Sequence, residues 1–145
     1  MGHRIEKFIK GESYLIRLKP DSDLLDTLNQ IIKRIGVEVG HIYGIGSVGP
    51  ANIGYYDFNE RQYKENKFNG IYEIVSLLGN ISMMDGKPMC HCHIAIGDKQ
   101  GKVYGGHLLL GTIVYVAEIH ISVLKGSPPE RTFDTQTGLH LWNLK

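Results

Sequence analysis

The chain has 145 residues, enough for one domain with a real core and too few to expect two. Apolar residues make up 42% of it and charged residues 21%, which excludes the apolar-poor composition of a disordered chain. Lysine and arginine number 16 against 15 acidic residues, so there is no charge excess for strong unaided binding to nucleic acid.

Residues 1–145 therefore read as a single domain. No apolar run reaches the length of a membrane span, and the N-terminus lacks a charged segment followed by a long apolar one, so a cytoplasmic location is expected. Cys90 and Cys92 are the only cysteines. On a strand, residues spaced i, i+2 are held about 6 to 7 Å apart, too far for easy bridging. Two free thiols fit a reducing compartment.

In chain order, Arg4 to Ile9 and Ser13 to Leu18 flank Gly11 and are expected to form two strands. Pro20-Asp21-Ser22 then precedes Leu24, Leu25, Leu28, Ile31, Ile32 and Ile35, an apolar stripe at helical spacing. Asp21 or Ser22 is the expected N-terminal cap and Gly36 the stop. Beyond Val39 the pattern changes to β-branched and aromatic residues punctuated by glycine, and no second helix of comparable periodicity follows. Strands are expected near Val39 to Ser47, Ala51 to Phe58, Ile71 to Ile81, Met89 to Ile96, Lys102 to Leu110 and Ile113 to Leu124. Asn59 to Asn69 and Gly126 to Asp134 read as loops. One helix among many strands predicts an α+β domain with a largely antiparallel sheet, because each parallel pair would need a crossover helix.

Gly44-Ile45-Gly46-Ser47-Val48-Gly49 matches the G-x-G-x-x-G pattern. That pattern binds pyrophosphate only where it opens a helix, and here a strand-like segment follows. The glycines are instead expected to allow a bulge, a bend or close backbone approach.

His91 and His93, in Cys90-His91-Cys92-His93, share one face of a strand, while the two cysteines share the other. Asp98-Lys99-Gln100-Gly101 supplies turn chemistry, so the next segment should return as a hairpin. In the register that sets Ile96 opposite Tyr104, His93 lies opposite His107, with Cβ atoms about 4.5 to 5.5 Å apart. A slip of one residue would send His107 to the other face. Three histidines on one face form a candidate metal set, since catalytic zinc commonly sits on three protein ligands plus water. Glu73 and Glu118 each interrupt an apolar strand and are candidates for general acid or base work beside such a metal.

Several segments together, Gly44 to Ser47, Gly70 to Gly79, His91 to Ile94, Gly105 to Leu108 and Arg131 through Gly138, resemble the PPC domain, which is shared by plants and prokaryotes. The resemblance covers nearly the whole chain. It implies a compact α+β domain, a homotrimer, and a place among proteins associated with DNA. In plants a similar domain follows AT-hook segments, whose Arg-Gly-Arg-Pro core is absent here. The fold is also similar to that of acetolactate decarboxylase, whose zinc is held by a His-x-His pair and a later histidine. His91, His93 and His107 correspond to that pattern.

Three functions follow as expectations. One is a regulatory or interaction protein that binds metal, works as a trimer and associates with DNA through partners or a composite surface. Another is a zinc-dependent lyase or hydrolase acting on a small oxygenated substrate. In the third, the metal is purely structural.

Overall fold

The computed structural model describes residues 3–143. Ten strands and one helix follow in the order β1 (Ile9–Arg17), α1 (Leu24–Ile35), β2 (Gly40–Val48), β3 (Ala51–Asp57), β4 (Gln62–Phe68), β5 (Tyr72–Met84), β6 (Lys87–Gly97), β7 (Val103–Leu108), β8 (Val114–Lys125), β9 (Glu130–Asp134) and β10 (Leu139–Trp142). The architecture is the expected α+β, with a mostly antiparallel sheet and a single helix.

Helix α1 forms where its apolar stripe predicts. Leu24, Leu28 and Ile32 recur every four residues and are fully buried. The cap is Asp23 rather than Asp21 or Ser22, because its side chain accepts the amide of Asp26 at 3.0 Å. Asp21 has φ 63° and lies in the turn before the helix. Gly36 ends the helix in the left-handed conformation at φ 70°, as glycine allows without a Cβ penalty.

The sheet runs β1-β8-β2-β5-β6-β7-β3-β4. Helix α1 packs against β6, where Asn29 Oδ1 accepts the backbone amide of Cys90 at 3.0 Å. The core lies between them: Leu24, Leu28 and Ile32 meet Ile42, Leu77, Cys92 and Ile119. On the opposite face Leu15, Tyr43 and Leu78 are exposed. On it, register pairing aligns Leu15, His120, Tyr43, Leu78, His93 and His107 in one row across six strands.

The structure departs from the strand and loop expectations in three segments. Residues 4–8 are not a strand, and β1 runs through Gly11 as one strand with a register shift between Lys10 and Ser13. The expected loop from Asn59 to Asn69 contains β4, whose polar residues pair along β3 at the sheet edge. A polar edge strand gives no apolar alternation to read. The expected loop from Gly126 to Asp134 ends in β9, which pairs with β10 and runs parallel to the end of β5 at Met83–Glu130 and Met84–Arg131. This parallel pair depends on long-range docking that no local pattern encodes.

The Gly44–Gly49 segment opens no helix. It lies in β2 and the following turn, with a register shift between Gly44 and Gly46. A Cβ on Gly46 would fall 2.0 Å from the carbonyl oxygen of Val116, so the glycine serves close strand approach.

Candidate metal centre

Strands β6 and β7 are joined by the expected turn. Asp98 Oδ1 accepts the amides of Gln100 and Lys102, both at 2.9 Å, and Gly101 takes φ 81°. Ile96 pairs with Tyr104, and His93 therefore faces His107. His91 lies two residues back on the same face. The ring centroids are 5.2 Å apart for His91 and His93, 5.0 Å for His91 and His107, and 5.5 Å for His93 and His107. One nitrogen from each ring falls within 4.8 Å of the others. A tetrahedral zinc needs such nitrogens ~3.4 Å apart, so a bound ion would hold the rings at that closer spacing.

Burial sets the protonation of this cluster. His91 and His107 are pushed down to about 4, chiefly by burial, with the neighbouring histidines and the Arg131 charge adding to it. Both are therefore neutral at physiological pH, the form in which imidazole binds a metal. His107 stacks on Tyr63 at 4.6 Å, and its buried Nδ1 has no hydrogen-bond partner. An orphaned imidazole nitrogen among neutral imidazoles fits a metal ligand.

His91 and His107 line a cavity of ≈ 350 Å³ closed by the β9–β10 hairpin, with Tyr63, Arg131, Met84 and Leu141 among its walls. Arg131 is 8% exposed and sits within hydrogen-bond reach of Ser82, Asn80 and the carbonyl of His140. The sequence reading had no physical reason to single out Arg131 or Tyr63. Both reach the histidines only because β4 and β9 fold beside them.

The other candidates lie elsewhere. Cys90 and Cys92 are buried on the helix side of β6, away from the histidines. The Cys92 thiol is raised, first by its hydrogen bond with Cys90 and then by burial. Glu73 is exposed, accepts the hydroxyl of Ser47 at 3.2 Å and pairs with Gly97, which stands about 13 Å along β6 from His93. Glu118 is exposed on β8, three strands and about 14 Å from β6. It lines a separate cavity of ≈ 500 Å³ with Arg17, Tyr43, Ile45 and His120. Within one chain the structure brings the histidines together and neither glutamate to them.

Known proteins share this arrangement of strands. A metal-containing protein from Archaeoglobus fulgidus is 40% identical, with a TM-score of 0.92 over 97% of this chain and 99% of that one. A plant- and prokaryote-conserved protein from Pyrococcus horikoshii is 38% identical, with a TM-score of 0.91 over 97% of each chain. A protein from Bacteroides thetaiotaomicron, described as a candidate DNA-binding protein, is 25% identical with a TM-score of 0.84 over 94% of this chain and 96% of that one. Among curated proteins, the bifunctional protein GlmU of a Synechococcus strain is 32% identical over 108 residues, which are 73% of this chain and 16% of that protein. The chain thus spans about a sixth of the length of the curated relatives it matches. The model of the Plants and Prokaryotes Conserved (PCC) domain matches residues 6–125. With that match over most of its length, the chain belongs to the Plants and Prokaryotes Conserved domain family.

Proposed function

We propose that this protein is a homotrimeric metal-binding member of its family with a regulatory or interaction role, and that His91, His93 and His107 hold a zinc ion with one position left open. The observation that carries this reading is the convergence of three imidazole nitrogens within 4.8 Å beside a cavity. An all-imidazole donor set suits zinc among the common divalent ions. The Archaeoglobus relative described as metal-containing adds support.

A trimer accounts for the open sheet face. Leu15 is 85% exposed and Ile45 59%, and with Leu78 they form an apolar surface that ends at His93. Relatives from Bacteroides and Ralstonia described as candidate DNA-binding proteins support an association with DNA. With a formal net charge of only +1, any such contact needs the combined surface of several subunits or a partner.

Elemental analysis of purified wild type beside His93→Ala tests the metal. Near-stoichiometric zinc in the wild type and its loss in the variant support the reading, and equal content in both overturns it. Light scattering tests the trimer, and anisotropy titration at low salt tests DNA.

A second reading, a zinc-dependent lyase or hydrolase on a small oxygenated substrate, draws on the cavity beside the histidines. A bound zinc would polarise a carbonyl or activate water there. Because Glu73 and Glu118 stand far from the histidines in their own chain, a proton-handling role for either requires a second copy to carry it to the metal.

A further inference from the structure

The β9–β10 hairpin places a buried cation against the histidine cavity with no acidic partner among the described residues. Arg131 donates from Nε to Ser82 Oγ at 2.9 Å, from Nη2 to Asn80 Oδ1 at 2.9 Å and from Nη1 to the His140 carbonyl at 3.2 Å. All three acceptors are neutral, and two of the five guanidinium N–H groups have no partner among the described residues. The Trp142 ring lies 5.4 Å from the guanidinium carbon and offers only the weak negative face of an aromatic. Among the described residues no aspartate or glutamate pairs with Arg131, and none lines the cavity. A buried charge that meets only neutral acceptors is held at a cost, and an anion in the cavity would offset it.

The imbalance grows when the histidines are loaded. Three neutral imidazoles leave a divalent ion its full charge, and Arg61 also lines the cavity, hydrogen-bonded to the carbonyls of Thr135 and Gln136 with its charge partly offset by Asp134. The remaining walls include Met84, Met89, Leu139 and Leu141.

We infer that this cavity receives a small carboxylate ligand, whose charged end lies between the metal position and Arg131 and whose short apolar body rests on the methionine and leucine walls. The inference rests on the metal reading above. A planar guanidinium matches a carboxylate through paired N–H groups. The apolar walls favour a carboxylate on a hydrocarbon stem over a strongly hydrated inorganic phosphate.

The test uses the full chain loaded with cobalt(II), whose visible spectrum reports the open position. Isobutyrate, isobutyramide and inorganic phosphate are titrated into wild type and Arg131→Gln. Isobutyrate is expected to shift the spectrum and bind at least about tenfold more tightly than its neutral amide. Arg131→Gln should lose about tenfold in isobutyrate affinity while holding its cobalt. Equal affinity for acid and amide overturns the inference, and so does an unchanged affinity in folded Arg131→Gln. Tighter phosphate binding overturns the choice of carboxylate. If Arg131→Gln does not fold, the comparison of acid with amide in wild type decides. A normal cobalt spectrum that no anion perturbs sinks the anion site alone, whereas failure of wild type to take up cobalt sinks the metal reading and this inference with it.

Discussion

His93 and His107 face each other across the β6–β7 ladder with perpendicular rings whose centroids are 5.5 Å apart. Their opposition depends on two backbones, and the second is held from its far side by β3, where Gly54 pairs with His107. Gly106 lies between the two strands. A Cβ there would meet the Gly54 carbonyl oxygen at 2.5 Å.

Gly106→Ala is therefore expected to force β7 away from β3 and to displace His107. The cost should be about 1 to 3 kcal/mol, the range for overpacking. Chemical denaturation would measure it, and bound metal should fall in parallel. A variant with wild-type stability and metal content would show that the ladder tolerates the shift.

Acid should weaken the metal-free protein through the same cluster. His91 and His107 are held down to about 4 from the usual 6.5, so in this interval the unfolded chain binds more protons than the folded one. Their contribution to stability is complete above pH 6.5 and is lost as pH falls towards 4. The difference in thermal midpoint between chelated wild type and His91→Gln, followed across that interval, isolates the effect. A pH-independent difference would contradict it.

The cysteines give a contrasting expectation. Both are buried on the helix side of β6, and the Cys92 thiol is raised, so neither should react with a thiol reagent until the chain unfolds. Cys92→Ala should retain its metal, because the side chain points away from the histidines. Rapid native-state labelling, or loss of metal in this variant, would place the thiols in the site after all.

Two leucines separate core from surface. Leu28 is fully buried on the inner face of α1, and Leu28→Ala should cost about 2 to 5 kcal/mol in denaturant unfolding. Leu15, at 85% exposure, should contribute little within one chain. Leu15→Lys on the open face is instead expected to lower the assembled mass seen by light scattering. An unchanged mass would mean that this face is not where copies meet.

Residue pattern alone determined a good deal of this protein. The helix was legible because apolar residues repeat at its period, and the central strands because β-branched residues cluster between turn signals. The His93–His107 register was legible for a local reason: a short turn between adjacent strands fixes which residues face. The separation of cysteines from histidines follows from the twofold period of a strand. What only the tertiary structure decided came from contacts between segments distant in sequence. β4 is a polar edge strand with no apolar alternation, and β9 docks in parallel on the end of β5 some fifty residues away from its own local signals. Those two elements bring Tyr63 and Arg131 to the histidines and close the cavity. The same long-range geometry leaves Glu73 and Glu118 apart from the cluster, because residue type marks a carboxylate as able to act while only strand order decides what it stands beside.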